Sequence, residues 1–329
     1  MVDRIPSGTR DVLPDEMREL RAMTDRIRDV FEQAGYGEVY TPALEYEQTF
    51  VRDQHPARAP AGLNRPAYRL FDEQGQVLVL RPDMTIPIAR LIATRFAHAP
   101  PPFRLSYLAH AYRGVRPQRG QSRELLQAGV ELVGAAAPEG TAEILTVLCR
   151  ALDAAGLRTY RVGLGDASLY PELLDACGVS GEPRERILTA LARGDFVSVD
   201  AEVRRLGMGG EAEELLLRVP RIRGGAEVLA GLSGPLQRAA TGMRAVHELL
   251  PGEVAERLIF DLGLVRSLGY YTGAVFQVYD PAYGVPIGSG GRYDELLAAF
   301  GRPLPAVGFA LNVERLHIAL TGEERGRRV

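Results

Sequence analysis

The stretch FRLSYLAHAYRGVRPQRGQSRELLQAGVELV, residues 103–133, decides the fold of this 329-residue chain. Two runs rich in apolar and aromatic residues flank a short segment made of Gly, Arg, Pro and Gln. Such runs on either side of a turn-forming segment predict a β-hairpin. We place its strands at Phe103–Arg113 and Glu124–Val133 and its turn at Gly114–Gly120.

The returning strand of this hairpin has two chemically different faces, because successive side chains of a strand point to opposite sides. The apolar face holds Leu126, Ala128, Val130 and Leu132, and the other holds Leu125, Gln127, Gly129, Glu131 and Val133. Gln127 and Glu131 therefore share a side, and Gly129 between them leaves room for a small cation against the strand. An amide oxygen and a carboxylate are suitable acceptors for an α-ammonium group. The alternative is a solvent-facing strand with a bulge glycine.

Outward from the hairpin, the apolar spacing predicts helices and strands on both sides. Helices are expected at Asp15–Ala34, from near Pro87, at Ala142–Ala155 and at about Phe309–Leu320. Strands are expected at Glu38–Tyr40, Val77–Leu80, Tyr160–Leu164, Leu258–Leu262 and Tyr270–Tyr279, with a glycine turn at Gly288–Gly291 and a mobile loop at Arg52–Pro66. Two blocks of strands without regular βαβ alternation favour an α+β fold with an antiparallel sheet flanked by helices.

The composition changes between Tyr170 and Glu256, where Leu, Ala, Arg and Glu dominate between Gly and Pro breaks. We interpret residues 166–256 as a helical inserted subdomain. Residues 1–165 and 257–321 would then form the core domain, and residues 322–329 would form a solvated tail.

Composition excludes several classes of protein. No apolar run approaches the roughly 20 residues of a membrane span, and the N-terminus lacks the apolar region of a signal peptide, so we expect a cytoplasmic protein. All 39 basic residues are Arg, which excludes a Walker-A phosphate loop and Schiff-base chemistry, since each needs a Lys. Two cysteines, and five histidines without ligand spacing, predict neither a disulfide framework nor a metal site. The net charge of −3 gives no basic footprint for nucleic acid.

Several polar side chains outside the returning strand are candidates for ligand binding. Arg113, at the mouth of the hairpin, can hold a carboxylate or phosphate in bidentate fashion. Asp83 and Thr85 follow a short strand, where ligand-binding loops are common, although helix capping explains them about equally well. Of Tyr270 and Tyr271, one is expected in the core and the other in a pocket, because neighbours on a strand face opposite ways.

These pieces occur in the order seen in one family. The motifs are Ser7–Asp11 (SGTRD), Leu80–Thr85 (LRPDMT), the hairpin that ends in Gln127 and Glu131, Leu264–Arg266 with Tyr270 and Tyr271, and Gly290–Asp294 (GGRYD) with Gly308–Leu316. Together they resemble the catalytic core of histidyl-tRNA synthetase, a class II synthetase, over nearly the whole chain. This resemblance implies a six-stranded antiparallel sheet, a helical insertion and a homodimer. It also implies a histidine pocket built from Asp83, Thr85, Arg113, Gln127, Glu131, Arg266, Tyr270 and Tyr271.

The sequence departs from a synthetase where ATP would bind. Val115 stands where motif 2 carries the Glu that holds adenine, Gln121 replaces a loop Arg, Leu125 replaces the ring under the base, Gly269 replaces an acidic residue and Asn312 replaces a motif-3 glycine. Arg113, Arg266 and Arg315 retain part of the phosphate-binding set. A site without its hydrogen-bond partner and its ring should bind ATP poorly. The sequence also stops where a synthetase continues into its tRNA-reading domain.

This pattern resembles the family of ATP phosphoribosyltransferase regulatory subunits. The resemblance implies a homodimer with no catalysis and no cofactor of its own, whose partner is the short catalytic subunit in a hetero-octamer. That partner would use Mg²⁺ in the first step of L-histidine biosynthesis, and the regulatory subunit would enable its activity and transmit feedback inhibition by histidine. No tRNA or membrane partner is expected. Two alternatives stay open: a truncated synthetase-like enzyme that forms an adenylate, and a freestanding histidine-binding protein.

Overall fold

The structure is a computed structural model that describes residues 5–51, 67–114, 122–264 and 269–322. Several predictions fall wholly or largely outside these ranges. They are the loop Arg52–Pro66, the turn Gly114–Gly120, the roles of Val115, Gln121 and Arg266, and the solvated tail at 322–329.

Helices and strands account for most of the described residues. The α-helices are α1 (Pro14–Gln33), α2 (Glu47–Val51), α3 (Thr85–Arg95), α4 (Glu139–Ala155), α5 (Leu169–Ala176), α6 (Gly181–Ala192), α7 (Phe196–Arg205), α8 (Gly210–Arg218), α9 (Gln237–Glu248), α10 (Gly252–Ala255) and α11 (Val313–Thr321). The strands are β1 (Gly37–Glu38), β2 (Leu44–Tyr46), β3 (Arg69–Phe71), β4 (Val77–Leu80), β5 (Phe103–Tyr112), β6 (Glu124–Val133), β7 (Arg161–Asp166), β8 (Arg223–Gly224), β9 (Leu258–Asp261), β10 (Ala274–Asp280), β11 (Tyr283–Arg292) and β12 (Ala306–Asn312). Short 3-10 turns occur at Val219–Arg221, Ala226–Leu229, Gly234–Leu236 and Leu296–Phe300.

The main sheet has nine strands in the order β1-β5-β6-β12-β11-β10-β7-β9-β8. The six central strands, from β5 to β7 in that order, are antiparallel to one another. Parallel pairs occur toward the edges, where β1 joins β5 and β9 joins β7. The α+β class is therefore confirmed, and short edge strands extend the sheet beyond the six strands that the resemblance implied.

The hairpin predicted from residues 103–133 is formed by β5 and β6, which pair without a shift from Phe103 opposite Val133 to Tyr112 opposite Glu124. The apolar face of β6 packs on α1 and α4 in one hydrophobic core. The opposite face borders a second core, which includes residues of α3. On that face Gln127 and Glu131 are 8% and 2% exposed. The solvent-facing alternative for this strand is therefore wrong.

Two segments near the C-terminus differ from the prediction. Gly288–Gly291 forms no turn but lies inside β11, and Phe309–Asn312, expected to begin the last helix, are extended as the second half of β12. Helical spacing of the apolar residues is overridden here, because β12 is hydrogen-bonded by β6 on one side and β11 on the other. Asn312 ends the strand and caps α11, since its side-chain oxygen accepts the N–H of Arg315 at 2.8 Å.

Helices α5 to α10 lie between β7 and β9. They share one hydrophobic core with the main sheet, in which Tyr170 and Leu216 are fully buried. The Tyr170 hydroxyl donates to the Leu216 carbonyl at 2.9 Å. Residues Arg223–Gly224 also contribute the edge strand β8 to the main sheet. The division into a core and an inserted subdomain at 166–256 stays a prediction.

A small sheet in the order β2-β4-β3 packs with α3, and the segment that connects β4 to α3 leads to the pocket described below. Glu45 of β2 forms an ion pair with Arg90 of α3, at 2.7 Å between nitrogen and oxygen. Strand β4 ends at Leu80 and α3 begins at Thr85, two residues before the predicted start. The short connection that carries Asp83 is thus anchored at both ends.

Two expectations from composition can be compared with the structure. Within the described ranges, no helix combines the length and the apolar character needed to cross a bilayer. Cys149 is buried and Cys177 is partly buried, as expected of small apolar residues. Burial raises the pKa of the Cys149 thiol to about 11, so this group stays a neutral part of the core.

We expect alanine to affect stability in opposite directions at two glycines. Gly156 ends the buried helix α4 with φ of +105°, so Gly156→Ala strains the backbone and lowers the free energy of unfolding by about 1 kcal/mol. Gly242 lies inside α9, where an added Cβ meets nothing within 4 Å, so Gly242→Ala raises it by about 0.5–1 kcal/mol. Urea unfolding followed by circular dichroism measures both changes. A stabilised Gly156→Ala variant would contradict this helix end.

Candidate functional site

A pocket lies on the face of the main sheet that borders the second core. Its lining consists of Asp83, Met84, Thr85, Tyr107, Arg113, Gln127, Glu131, Tyr270, Tyr271, Ser289, Tyr293, Gly308, Phe309 and Ala310. All the predicted site residues meet here except Arg266, which lies outside the described residues. The free volume is about 40 Å³, which is room for a few water molecules. A larger ligand enters only if side chains of the lining move.

Glu131 is the most deeply buried polar group of the pocket, with 2% of its surface exposed. Its Oε1 accepts a hydrogen bond from the Thr85 hydroxyl at 2.8 Å, and its Oε2 accepts a short one from the Tyr293 hydroxyl. Burial raises the pKa of the carboxyl to about 8, although both hydrogen bonds lower it, and nearby Asp83 raises it further. No cationic side chain of the described residues pairs with Glu131. Its ionised form would therefore gain from a ligand that brings a positive charge or N–H donors.

Asp83 and Thr85 both line the pocket and organise the start of α3. The Asp83 carboxylate accepts the N–H of Ile86 at 3.3 Å in the first turn of the helix, and Thr85 is the first helical residue. The capping and the pocket-lining interpretations of these residues thus hold together. The first turn of α3 fixes the Thr85 hydroxyl against Glu131.

Strand β6 places Gln127 and Glu131 on one face, as predicted, but the space over Gly129 is filled. A Cβ at Gly129 would overlap the Tyr107 hydroxyl and the Phe309 carbonyl. Gly129 is therefore small because Tyr107 of the neighbouring strand occupies that space, and the prediction that it leaves room for a bound cation is wrong. Burial raises the pKa of the Tyr107 hydroxyl well above its usual value, so Tyr107 offers the pocket a neutral hydroxyl.

Two further glycines make space for pocket side chains. A Cβ at Gly308 would overlap the Glu131 carboxylate, and a Cβ at Gly291 would lie 2.6 Å from the Tyr271 ring. Gly308 is the cross-strand neighbour of both Glu131 and Gly291. Gly291, one of the glycines that suggested a turn, instead lets an aromatic ring lie against the sheet, and Gly308 of the adjacent strand does the same for a carboxylate.

Tyr270 and Tyr271 both line the pocket, and Tyr270 also belongs to the second core, so the expected division of the pair into one core and one pocket residue holds only in part. Strand β10 begins at Ala274 and not at Tyr270, so the alternation of a strand does not apply to this pair. Tyr270 is 4% exposed. Its ring packs edge-on against Tyr271 and Tyr293, with centroids 4.9 and 5.8 Å apart.

Sequence reasoning missed Tyr107 and Tyr293. The hairpin register places Tyr107 directly opposite Gly129, so an unshifted pairing of the two predicted strands could have found it. Tyr293 follows β11 and reaches Glu131 of β6 across β12. No local signal in the sequence predicts that order of strands.

Two of the positions that the resemblance assigns to a nucleotide site, Leu125 and Arg315, are replaced or bonded within the protein. Arg315 donates from Nη1 to the Pro286 carbonyl at 2.8 Å. Leu125 is 4% exposed and offers an aliphatic side chain where a synthetase carries a ring. Arg113 lines the pocket, and its backbone N–H donates to the Arg123 carbonyl at the turn end of the hairpin, at 2.8 Å.

The charges of the pocket suit a small zwitterion. Asp83 and Glu131 supply carboxyl groups, Gln127 supplies an amide, and Arg113 supplies a guanidinium. These groups match an ammonium group and a carboxylate. Across the described residues, no three His, Cys, Asp or Glu side chains come together as potential ligands of a metal ion.

The chain matches the model of the histidyl-tRNA synthetase family over residues 8–316. It is 43% identical to the ATP phosphoribosyltransferase regulatory subunit of Symbiobacterium thermophilum, over 96% of this chain and 79% of that protein. The regulatory subunit of Rubrobacter xylanophilus is 42% identical, over 96% of this chain and 76% of that protein. This chain belongs to the family of ATP phosphoribosyltransferase regulatory subunits. The family predicted from the motifs is thereby confirmed, and its name implies a role in histidine biosynthesis.

Solved structures agree with membership of this family. A protein described as an ATP phosphoribosyltransferase regulatory subunit/histidyl-tRNA synthetase from Bacillus halodurans is 33% identical, with a TM-score of 0.88 over 97% of this chain and 83% of that chain. A histidine–tRNA ligase subunit from Alicyclobacillus acidocaldarius is 34% identical, with a TM-score of 0.79 over 99% of both chains. Histidyl-tRNA synthetase from Nostoc shares the fold, with a TM-score of 0.78 at 22% identity over 97% of this chain and 75% of that chain.

The raised pKa of Glu131 predicts that the pocket destabilises the regulatory subunit as pH rises. The folded-state pKa is about 8 and the unfolded-state pKa about 4.5, so the folded state binds this proton more tightly between those values. Wild-type stability therefore falls from about pH 5 to above pH 8 relative to Glu131→Gln, which cannot ionise. Urea unfolding at several pH values measures the difference.

Glu143→Gln is the matched control, because hydrogen bonding by Arg104 lowers the pKa of Glu143. The stability that Glu143 contributes is present at neutral pH and is lost as pH falls. The two variants should therefore deviate from wild type in opposite directions at pH 7. Parallel pH profiles would contradict the charge assignment of the pocket.

Proposed function

We propose that this chain is a non-catalytic, histidine-sensing subunit that the short catalytic subunit of ATP phosphoribosyltransferase requires for activity. Free L-histidine binds in the Glu131 pocket and thereby transmits feedback inhibition to the complex. The observation that carries this proposal is the buried carboxyl of Glu131, which has no cationic partner among the described residues and lies in a pocket that also holds Asp83, Gln127 and Arg113. The names of the family members supply the catalytic partner.

The order of groups along β6 supports one orientation of the ligand. Arg113 follows β5 at the turn end of the hairpin, Gln127 lies near that end, and Glu131 lies further along β6. The α-carboxylate would meet the Arg113 guanidinium, which binds carboxylates in bidentate fashion. The ammonium group would meet Gln127 and Asp83, and the imidazole would reach Glu131.

Glu131 also supports selectivity for an imidazole side chain. Its carboxyl is already bonded to Thr85 and Tyr293 and buried in aromatic surroundings. An imidazole N–H can take up the remaining acceptor capacity of the carboxylate. An aliphatic side chain of similar size would leave that carboxyl without a new partner, which costs binding free energy.

The narrow pocket supports coupling between histidine binding and the shape of the subunit. A free volume of about 40 Å³ is small for an amino acid, so binding would displace side chains of the lining such as Tyr270 and Tyr271. A ligand shifts an equilibrium between conformations by its difference in affinity for them. A pocket that must open to bind meets that condition, and the opened form would be the one that inhibits the catalytic partner.

The remaining features of the assembly follow from family membership. We propose a homodimer of this chain within a hetero-octamer that contains the short catalytic subunit, without tRNA as a partner. The Mg²⁺-dependent chemistry would take place in the catalytic subunit. The engagement of Arg315 with the Pro286 carbonyl and the aliphatic Leu125 support the absence of a working nucleotide site here.

A second candidate function is a truncated synthetase-like enzyme that forms histidyl-adenylate. It is favoured by the family model, which describes a histidyl-tRNA synthetase, and by the ligase subunit from Alicyclobacillus acidocaldarius, which matches over 99% of both chains. This function would require Arg315 to leave its carbonyl partner and bind ATP phosphates.

We expect Glu131→Ala to weaken histidine inhibition of the reconstituted complex by at least about tenfold, because it removes a charge-assisted partner of the ligand. Assembly with the catalytic subunit, followed by gel filtration, should be unchanged, since Glu131 is buried away from the surface. The exposed Glu139 provides the control. Histidine should inhibit a complex that contains Glu139→Ala as strongly as it inhibits the wild-type complex. Unchanged inhibition in Glu131→Ala would show that histidine does not act through this pocket. Failure of the wild-type chain to co-elute with the catalytic subunit would favour a freestanding histidine-binding protein.

The two candidate functions differ in adenylation. The regulatory proposal predicts no histidine-dependent ATP–pyrophosphate exchange by the purified chain, at any histidine concentration that saturates binding. A histidyl-tRNA synthetase assayed in parallel provides the positive control. Sustained exchange that is lost in Arg315→Ala would establish the enzyme instead.

A further inference from the structure

Arg81 is a buried guanidinium without an anionic partner among the described residues. It is 3% exposed, and burial lowers its pKa. Its hydrogen-bond acceptors are all neutral: the carbonyls of Thr41, Pro42 and His110 and the hydroxyl of Thr41. Burying a charge without a counter-ion costs free energy, so the position calls for an explanation beyond filling space.

The hydrogen bonds of Arg81 join the two sheets of the molecule. Arg81 directly follows β4 of the small sheet, and its Nε donates to the His110 carbonyl of β5 in the main sheet at 2.8 Å. Its own carbonyl accepts the N–H of Tyr112 at 2.9 Å. The side chain and the backbone of one residue thus tie the end of β4 to the end of β5.

A third segment is held by the same side chain. Nη1 donates to the Thr41 carbonyl at 2.5 Å, to the Thr41 hydroxyl at 3.0 Å and to the Pro42 carbonyl at 3.1 Å. The backbone N–H of Arg81 donates to the Ala43 carbonyl at 2.9 Å. Only a guanidinium can reach acceptors on opposite sides in this way, because its donors form a rigid planar fork.

The two strand ends that Arg81 joins lead directly into the pocket. Two residues beyond Arg81 lies Asp83, and one residue beyond Tyr112 lies Arg113. One sheet therefore presents Asp83 to the pocket and the other presents Arg113. The Asp83 carboxylate and the Arg113 guanidinium would hold the two ends of a ligand. The distance between them depends on how firmly the two sheets are fixed to each other at this junction.

We infer that Arg81 is a positioning residue that sets the spacing between Asp83 and Arg113. Through that spacing it sets the preference of the pocket for a ligand that carries both an ammonium group and a carboxylate. This inference rests on the proposed function, because it concerns the same pocket. Arg81 itself touches no ligand. It acts through the relative position of β4 and β5.

The test compares L-histidine with L-histidinol, which lacks the carboxylate, by isothermal titration of the full chain. Wild type should prefer histidine through Arg113. Arg81→Lys keeps the charge but loses the fork, so it should lower the ratio of the two affinities about tenfold, while the affinity for histidinol changes less than about threefold. A role confined to folding would lower both affinities equally, and that result, or an unchanged ratio, overturns the inference.

Arg302→Lys is the matched control, because Arg302 also donates to two backbone carbonyls, those of Phe96 and Ala99, and does not line the pocket. It should leave the ratio unchanged. If Arg81→Lys does not fold, Thr41→Val provides the test, because it removes one hydrogen-bond acceptor of Arg81. The ratio of the affinities for histidine and histidinol should then fall about threefold. An unchanged ratio contradicts the inference. Absence of histidine binding by wild type would overturn the proposed function itself, whereas binding with a constant ratio overturns only the role of Arg81.

Discussion

The burial of one carboxyl group, that of Glu131, is the constraint around which the pocket is built. The group lies on a central strand of the main sheet, and the fold gives it two hydroxyl donors, from Thr85 and Tyr293, but no cation among the described residues. Each donor comes from a different part of the chain, one from the start of α3 and one from the end of β11. Accommodation of the carboxylate also requires Gly308 on the adjacent strand. The carboxyl group is therefore satisfied structurally in its neutral form, and a ligand that brings a positive charge or N–H donors would favour its ionised form.

The same arrangement accounts for how a synthetase fold can serve regulation. The groups that would recognise an amino acid are concentrated around Glu131, and the groups that would hold a nucleotide are replaced, as at Leu125, or bonded to the protein, as at Arg315. A protein that senses an end product needs recognition of that product and a change of shape, and it does not need chemistry. In the proposed function, a pocket with little free volume would link the two requirements, because its tyrosines would move when the ligand enters.

Much of the fold and of the site was predictable from sequence, for physical reasons that differ between elements. The hairpin was predictable because period-two patterning and turn composition agree, and the register then follows from the faces of β6. The glycines of β11 were misread because a glycine that ends a strand and one that admits a neighbouring ring look alike in sequence. The second half of β12, Phe309–Asn312, was misread as helix because its pairing partners are remote in the chain. Tyr293 was missed for the same reason, and the role of Gly129 was misjudged because Tyr107 fills its space.

The most direct measurement is a crystal structure of this chain with L-histidine bound at neutral pH. The proposed function predicts the imidazole against the Glu131 carboxylate, the α-carboxylate at Arg113, and the rings of Tyr270 and Tyr271 displaced from the positions they have here. Histidine bound elsewhere, or an empty pocket in which Glu131 keeps only its bonds to Thr85 and Tyr293 at saturating histidine, would contradict the histidine-sensing role.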